Sequence, residues 1–282
     1  SDTYVRSHPM NPPSLSTLSL SLEQGIAEIR LNRPDKSNAM NDAMWQEIRQ
    51  AFDWVDATPE ARVAILSGAG RNFCAGIDLT LLAGIQQRIA HPDAARSREA
   101  LRRLILDLQD CLSSVERCRK PVLAAIQGAC IGGALDLVTS CDMRYAAADA
   151  VFSVREIDLG MVADVGTLQR LPRLIPEGAA RELAFTGRNF RAEEGERLGL
   201  INRVFASNEA LTAAVRELAQ TIAAKSPLSM RGIKEVMNFS RDHSVADGLN
   251  FVATWNASML LSGDLNEAIS AQREKRAPRF AD

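Results

Sequence analysis

Little in this sequence points toward a charged polymer or a bilayer. Lys and Arg number 33 against 35 Asp and Glu, a formal net charge of −2. Without a basic excess there is no electrostatic footprint for nucleic acid or for anionic lipid. No apolar run reaches the ~18 residues that suggest a membrane-crossing helix. Cysteine is scarce. Cys74, Cys111, Cys118, Cys130 and Cys141 are odd in number and include no CxxC pair, which argues against a disulfide framework and a zinc site. Such scattered thiols read as small buried residues of a reducing cytosol, so a cytoplasmic protein is expected. His8, His91 and His243 stand apart, none at metal-ligand spacing; each reads as a surface or loop histidine, and no metal is expected. Neither G-x-G-x-x-G nor G-K-[ST] occurs, so no dinucleotide or P-loop site is expected. The stretch 1–16 lacks the apolar core of a signal peptide and is poor in Arg for a transit peptide; it reads as a flexible arm.

What is present suits a large folded domain. The chain has 282 residues, of which 46% are hydrophobic and 24% charged, ample for a real core. Ala27, Ile29 and Leu31 alternate with Glu28 and Arg30, the period of a half-buried strand within 18–31. Met44, Ile48, Phe52 and Val55 share one face of a helix that Asn41 can cap. Further strands are expected over 62–67 and 122–126, the second opened by Pro121, and a long helix over 98–115. The region after about residue 177 reads as successive helices. No linker rich in Pro, Gly or Ser divides the chain. The expected organisation is an arm over 1–17, an α/β core over 18–205 and an α-helical region over 206–282.

Two loops combine a preceding strand, small residues and a helix start: Phe73-Cys74-Ala75-Gly76-Ile77-Asp78, and the run from Gly128 to Asp136. Each by itself reads as a tight turn that packs a helix on a sheet. Together, free N–H groups from two such loops would bind an oxygen that gains negative charge. Three acids stand near these loops in sequence. Asp136 reads equally as a first-turn helix residue favoured by the macrodipole, and Glu156, between Arg155 and Asp158, as a surface charge. Asp164 lies in the apolar run Met161-Val162-Ala163-Asp164-Val165-Gly166. An acid there faces a pocket or caps the following helix, and the residues leave both open.

These pieces resemble the enoyl-CoA hydratase/isomerase (crotonase) family. The resemblance runs from about Leu18 to the C-terminus. It rests on 32–40 (Asn-Arg-Pro-Asp-Lys-Ser-Asn-Ala-Met), on 73–79, on 126–142, on 166–172 (Gly-Thr-Leu-Gln-Arg-Leu-Pro) and on Glu274-Lys275-Arg276. It implies an α/β spiral of ββα units with a helical C-terminal region that assembles a homotrimer or a dimer of trimers. It implies an acyl-CoA thioester as ligand, with no separate cofactor, and backbone N–H groups of Ala75 and Gly133 as the oxyanion hole. Arg33, Lys36, Ala39 and Asp78 are implied near CoA, and Lys275 near the CoA phosphates of a neighbouring subunit. Hydratases of the family carry Glu at the positions of Asp136 and Glu156 and Gly at that of Asp164. The acids here resemble instead the family's dienoyl-CoA isomerase branch, which moves a 3,5-diene to a 2,4-diene. That implies proton transfer by Glu156 and Asp164, with Asp136 orienting Glu156. The alternatives are a 2-enoyl-CoA hydratase and a family member that binds acyl-CoA without turnover.

Overall fold

The computed structural model describes residues 11–282. Most of the expected arm over 1–17, with His8, therefore lies outside the described residues. Its end is not free: Glu47 accepts hydrogen bonds from the backbone N–H groups of Ser16 and Thr17. Strands β1 (Leu18–Glu23) and β2 (Ile26–Leu31) form a hairpin and lead into α1 (Asp42–Ala57). Then come β3 (Val63–Gly68), α2 (Leu79–Arg88) and α3 (Ala94–Arg117). Next are β4 (Val122–Ile126), β5 (Ala129–Ile131), α4 (Gly133–Thr139), β6 (Met143–Ala147) and β7 (Val151–Ser153). A 3-10 turn over Arg155–Leu159 precedes α5 (Thr167–Leu174) and α6 (Glu177–Thr186). The chain continues with β8 (Phe190–Arg191), α7 (Ala192–Leu198) and β9 (Arg203–Phe205). It ends in α8 (Asn208–Ala223), α9 (Pro227–Arg241), α10 (Val245–Met259) and α11 (Gly263–Arg273).

The larger sheet runs β1-β2-β3-β4-β6-β9, parallel except for the β1–β2 hairpin. Its central strands are buried on both faces, as parallel strands under helices are. In β3, Ala64 and Leu66 join the main core with α1, α3 and α4, while Val63 and Ile65 face a second cluster with Leu211, Val215 and Ala219 of α8. A smaller sheet, β5-β7-β8, extends through the bridge Cys74–Cys130 to the chain that follows β3. Each turn of the spiral thus lays one stretch on the large sheet, the next on the small sheet, and then a helix. All five cysteines are free and buried.

The capping rules hold at several helix starts. Asn41 accepts the Met44 N–H at 3.0 Å and Asp78 accepts the Thr80 N–H at 2.9 Å. Helix α2, which the sequence reading passed over, owes its start to that Asp78 cap. The bridge between Met40 and Ile77 ties the loop after β2 to the loop after β3. This seam and the β5–α4 turn position the site.

Candidate active site

The turn before α4 is a row of small residues, one in a left-handed conformation and one against a packed side chain. Gly132, with φ at 57°, caps α4, and a Cβ on Gly133 would lie 2.8 Å from the Met40 methyl. As the first residue of α4, Gly133 has no intrahelical acceptor for its N–H. Among the described residues no other protein group takes that N–H. Its partner is not the one expected. The Ala75 N–H donates to Ser37 O at 2.9 Å and is spent. Across the Met40–Ile77 bridge, Met40 N–H donates to Gly76 O at 2.8 Å and Asp78 N–H donates to Met40 O at 3.0 Å. Gly76 O and Asp78 N therefore face Met40, which turns the Ile77 N–H to the opposite side, where no acceptor takes it among the described residues. A Cβ built on Gly133 would lie 3.7 Å from Ile77 N. Ile77 and Gly133 thus present free amides to each other from the two loops among the described residues, and Ala75 is corrected on this point. No side-chain signal marks Ile77, because the group concerned is backbone.

The three acids converge beside these amides. Asp136, fully buried in α4, accepts the Thr167 N–H on Oδ1 at 2.6 Å. The acid that serves the start of α5 is thus Asp136, reaching across from another helix. Gly166 is the N-cap of α5 and receives no side-chain cap, so Asp164 has no capping duty. That decides between the two readings of Asp164 in favour of the pocket. Glu156 is half-buried in the 3-10 turn, and its Oε1 lies 3.6 Å from the point where a Cβ of Gly132 would stand, adjacent to the Gly133 amide. Asp136 Oδ2, Glu156 Oε2 and Thr167 Oγ1 are buried without a hydrogen-bond partner among the described residues. They face one another, Asp136 within side-chain hydrogen-bond reach of both Glu156 and Thr167, so a proton on one carboxyl pairs the two; buried polar atoms without a fixed partner are rare in folded proteins and mark a candidate reactive site.

Burial raises all three carboxyls above the ordinary range. Asp136 is pushed up by desolvation, against the pull of the Thr167 N–H, and the charge of Asp164 adds to the rise. Glu156 is pushed up to about 8 by desolvation and then by the charge of Asp136. Desolvation also raises Asp164. A carboxyl whose folded pKa exceeds its unfolded value holds its proton in the native state and costs stability as pH rises between the two values. For Glu156 that window runs from 4.5, its ordinary value, to about 8. Glu156→Gln should therefore raise the melting temperature relative to the parent above pH 8, and leave it unchanged near pH 4. Melting curves at the two pH values check the sign.

The charged residues expected around CoA divide. Arg33 pairs with Asp78 at 3.1 Å and donates to Ala39 O. Asp78 also caps α2, and hydrogen bonds from Thr80 hold its carboxyl below the usual range. Arg33, Ala39 and Asp78 thus clamp the loop after β2 to the start of α2. Lys36 is exposed on that loop. Lys275 is exposed beyond α11 at a φ of 51° and, among the described residues, no contact joins it to the acids.

A spiral of ββα turns, two free amides from separate loops and a buried carboxyl cluster define a site for holding a carbonyl oxygen while protons move nearby. The chain belongs to the enoyl-CoA hydratase/isomerase family, whose model matches residues 21–282. It is 47% identical over 269 residues to the peroxisomal Delta(3,5)-Delta(2,4)-dienoyl-CoA isomerase of Arabidopsis thaliana, covering 95% of this chain and 97% of that one. It is 44% identical over 257 residues to the mitochondrial enzyme of that name from Homo sapiens, covering 91% of this chain and 78% of the relative. Among solved structures, enoyl-CoA hydratase from Bacillus anthracis aligns with a TM-score of 0.85 at 31% identity, over 94% of this chain and 99% of that one. These relatives also correct the cytoplasmic expectation, since they are named peroxisomal and mitochondrial. Buried thiols and a near-neutral charge are common to soluble enzymes of all these compartments and do not separate them.

Proposed function

We propose that this chain isomerises 3,5-dienoyl-CoA to 2,4-dienoyl-CoA in the breakdown of unsaturated fatty acids. The observation that carries the reading is the cluster of Asp136, Glu156 and Asp164 beside the free amides of Ile77 and Gly133. The relatives named for that reaction support it. The thioester oxygen accepts from the two amides, which stabilise the charge that develops on it. Glu156, adjacent to the amides, stands nearest the carbon next to the carbonyl and takes its proton. The C2–H bond breaks, and the electron pair spreads through the conjugated chain as a dienolate. Asp164, farther along, gives a proton to C6, so the double bonds move from the 3,5 to the 2,4 positions. One proton leaves, one arrives, and no atom is oxidised or reduced, so the step calls for no electron carrier. Asp136 holds α5 through Thr167 and keeps Glu156 basic by its charge.

A 3,5-dienoyl-CoA incubated with the protein should gain conjugated-diene absorbance. Loss of 2-enoyl absorbance with a 2-enoyl-CoA instead would mark a hydratase, and neither change would mark a binder. The reading includes a homotrimer or a dimer of trimers. Its support is the apolar surface that the C-terminal helices leave open: Met237 is 67% exposed, Val245 80% and Leu261 91%. Patches of that kind mark association surfaces. Light scattering at micromolar concentration should return at least three chain masses, and a single chain mass would overturn this part.

A further inference from the structure

The acid-bearing segment 161–166 is neither helix nor strand, and glycines with positive φ bracket it: Gly160 at 67° and Gly166 at 135°. Such a segment does not hold a carboxyl in place by itself. Helix α3 presents Gln109, Ser113 and Glu116 at spacings of four and three, on one face. Gln109 Nε2 donates to the backbone oxygen of Asp164 at 2.7 Å. Among the described residues it is the one hydrogen bond from a side chain of another element to the backbone of 162–166. Four residues beyond that segment, the Arg170 guanidinium donates to Glu116 at 3.1 and 3.2 Å and to Ser113 at 3.2 Å. Arg170 passes over Gly166, where an added Cβ would come within 2.2 Å of its Nη1. Asp136 holds the same stretch from inside, through the Thr167 N–H. The segment is thus gripped at its acid by Gln109, at the start of α5 by Asp136, and within α5 by Ser113 and Glu116.

From this geometry we infer that Gln109 is a positioning residue for Asp164. It acts through the Asp164 carbonyl and sets where the carboxyl stands relative to the far carbon of the substrate. The inference rests on the role proposed above for Asp164. Losing the bond leaves the carbonyl to solvent and lets the segment drift between its glycines. A displacement of about 1 Å at a reacting group costs up to about 10²-fold in rate.

The test is a double-mutant cycle. Gln109→Leu removes the donor and fills most of the same space, its side chain ending one atom short of Nε2. In the parent it should lower kcat on 3,5-dienoyl-CoA by about 10- to 10²-fold, with KM and the melting temperature held. In an Asp164→Asn background the same change should cost less than about twofold, because the group it positions is already disabled. Gln109→Asn, one methylene shorter, runs the same cycle if the Leu variant misfolds. An unchanged kcat in the parent, or an equal drop in both backgrounds, would overturn the inference. An Asp164→Asn enzyme with full activity would overturn instead the reading on which it rests.

Discussion

Asp164→Asn should lower turnover of a 3,5-dienoyl-CoA by about 10²–10⁴-fold, the usual contribution of a positioned acid or base, while CoA binding stays intact. The loss is chemical and not structural, because Asp164 caps no helix and its carboxyl carries no fold contact comparable to that of Asp136. Asparagine fills the same space but cannot give up a proton to C6. Glu156→Gln should cost a similar factor, since an amide cannot take the C2 proton. Asp136→Asn should be milder: its amide oxygen still accepts the Thr167 N–H. It removes the negative charge that helps raise Glu156 to about 8, so the rising limb of the kcat/KM profile should move to lower pH. Initial rates across pH 5 to 9, at saturating substrate for kcat and well below KM for kcat/KM, check all three. Full isomerase activity in Asp164→Asn would leave the hydratase reading as the better one.

Gly133→Pro should reduce kcat by about 10²–10³-fold, the cost of removing one oxyanion donor. Gly133 is the first residue of α4, and proline is well tolerated there because that N–H has no helical acceptor. The added ring atoms must displace the flexible Met40 methyl, which would stand 2.8 Å from the new Cβ, so a modest loss of stability accompanies the change. The rate loss should exceed what that implies. Circular dichroism and melting curves establish that the variant is folded, and the kcat ratio then reports the loss of the hole at Gly133, where the proline Cδ replaces the donated hydrogen. Retention of parent turnover would remove Gly133 from the hole. The Ile77 amide admits no such clean change, because Ile77 belongs to the bridge that joins two loops.

Much of this site was legible in the residues, though not all for the right reason. The three acids stand out as acids near glycine-rich turns, and Asp164 as one within an apolar run. Gly133 is readable because a helix start always leaves free N–H groups. Ala75 was the wrong amide: N–H groups two residues apart in one loop look alike in sequence, and only the folded chain shows that Ala75 N–H is spent on Ser37 O while the Met40 bridge leaves that of Ile77 free. Arg33 and Asp78 read as residues near CoA; that they also pair with each other, 45 residues apart, only the folded chain shows.

Local patterning alone determined the longer elements of the core, β2, β3, β4, α1 and α3, and their order. Alternation marked the strands, the 3.6-residue period marked α1 and α3, and side-chain caps such as Asn41 marked starts, because each depends on residues within a turn or two. The same local rules left Asp164 undecided between a cap and a pocket. Tertiary structure decided it, because the N–H at the start of α5 is taken by Asp136, 31 residues away in sequence. It also decided that burial raises all three carboxyls and that the charge of Asp164 reaches Asp136 and Glu156. Desolvation and like-charge repulsion act through distance in space, and no spacing along the chain encodes that distance before the helices close over a common sheet.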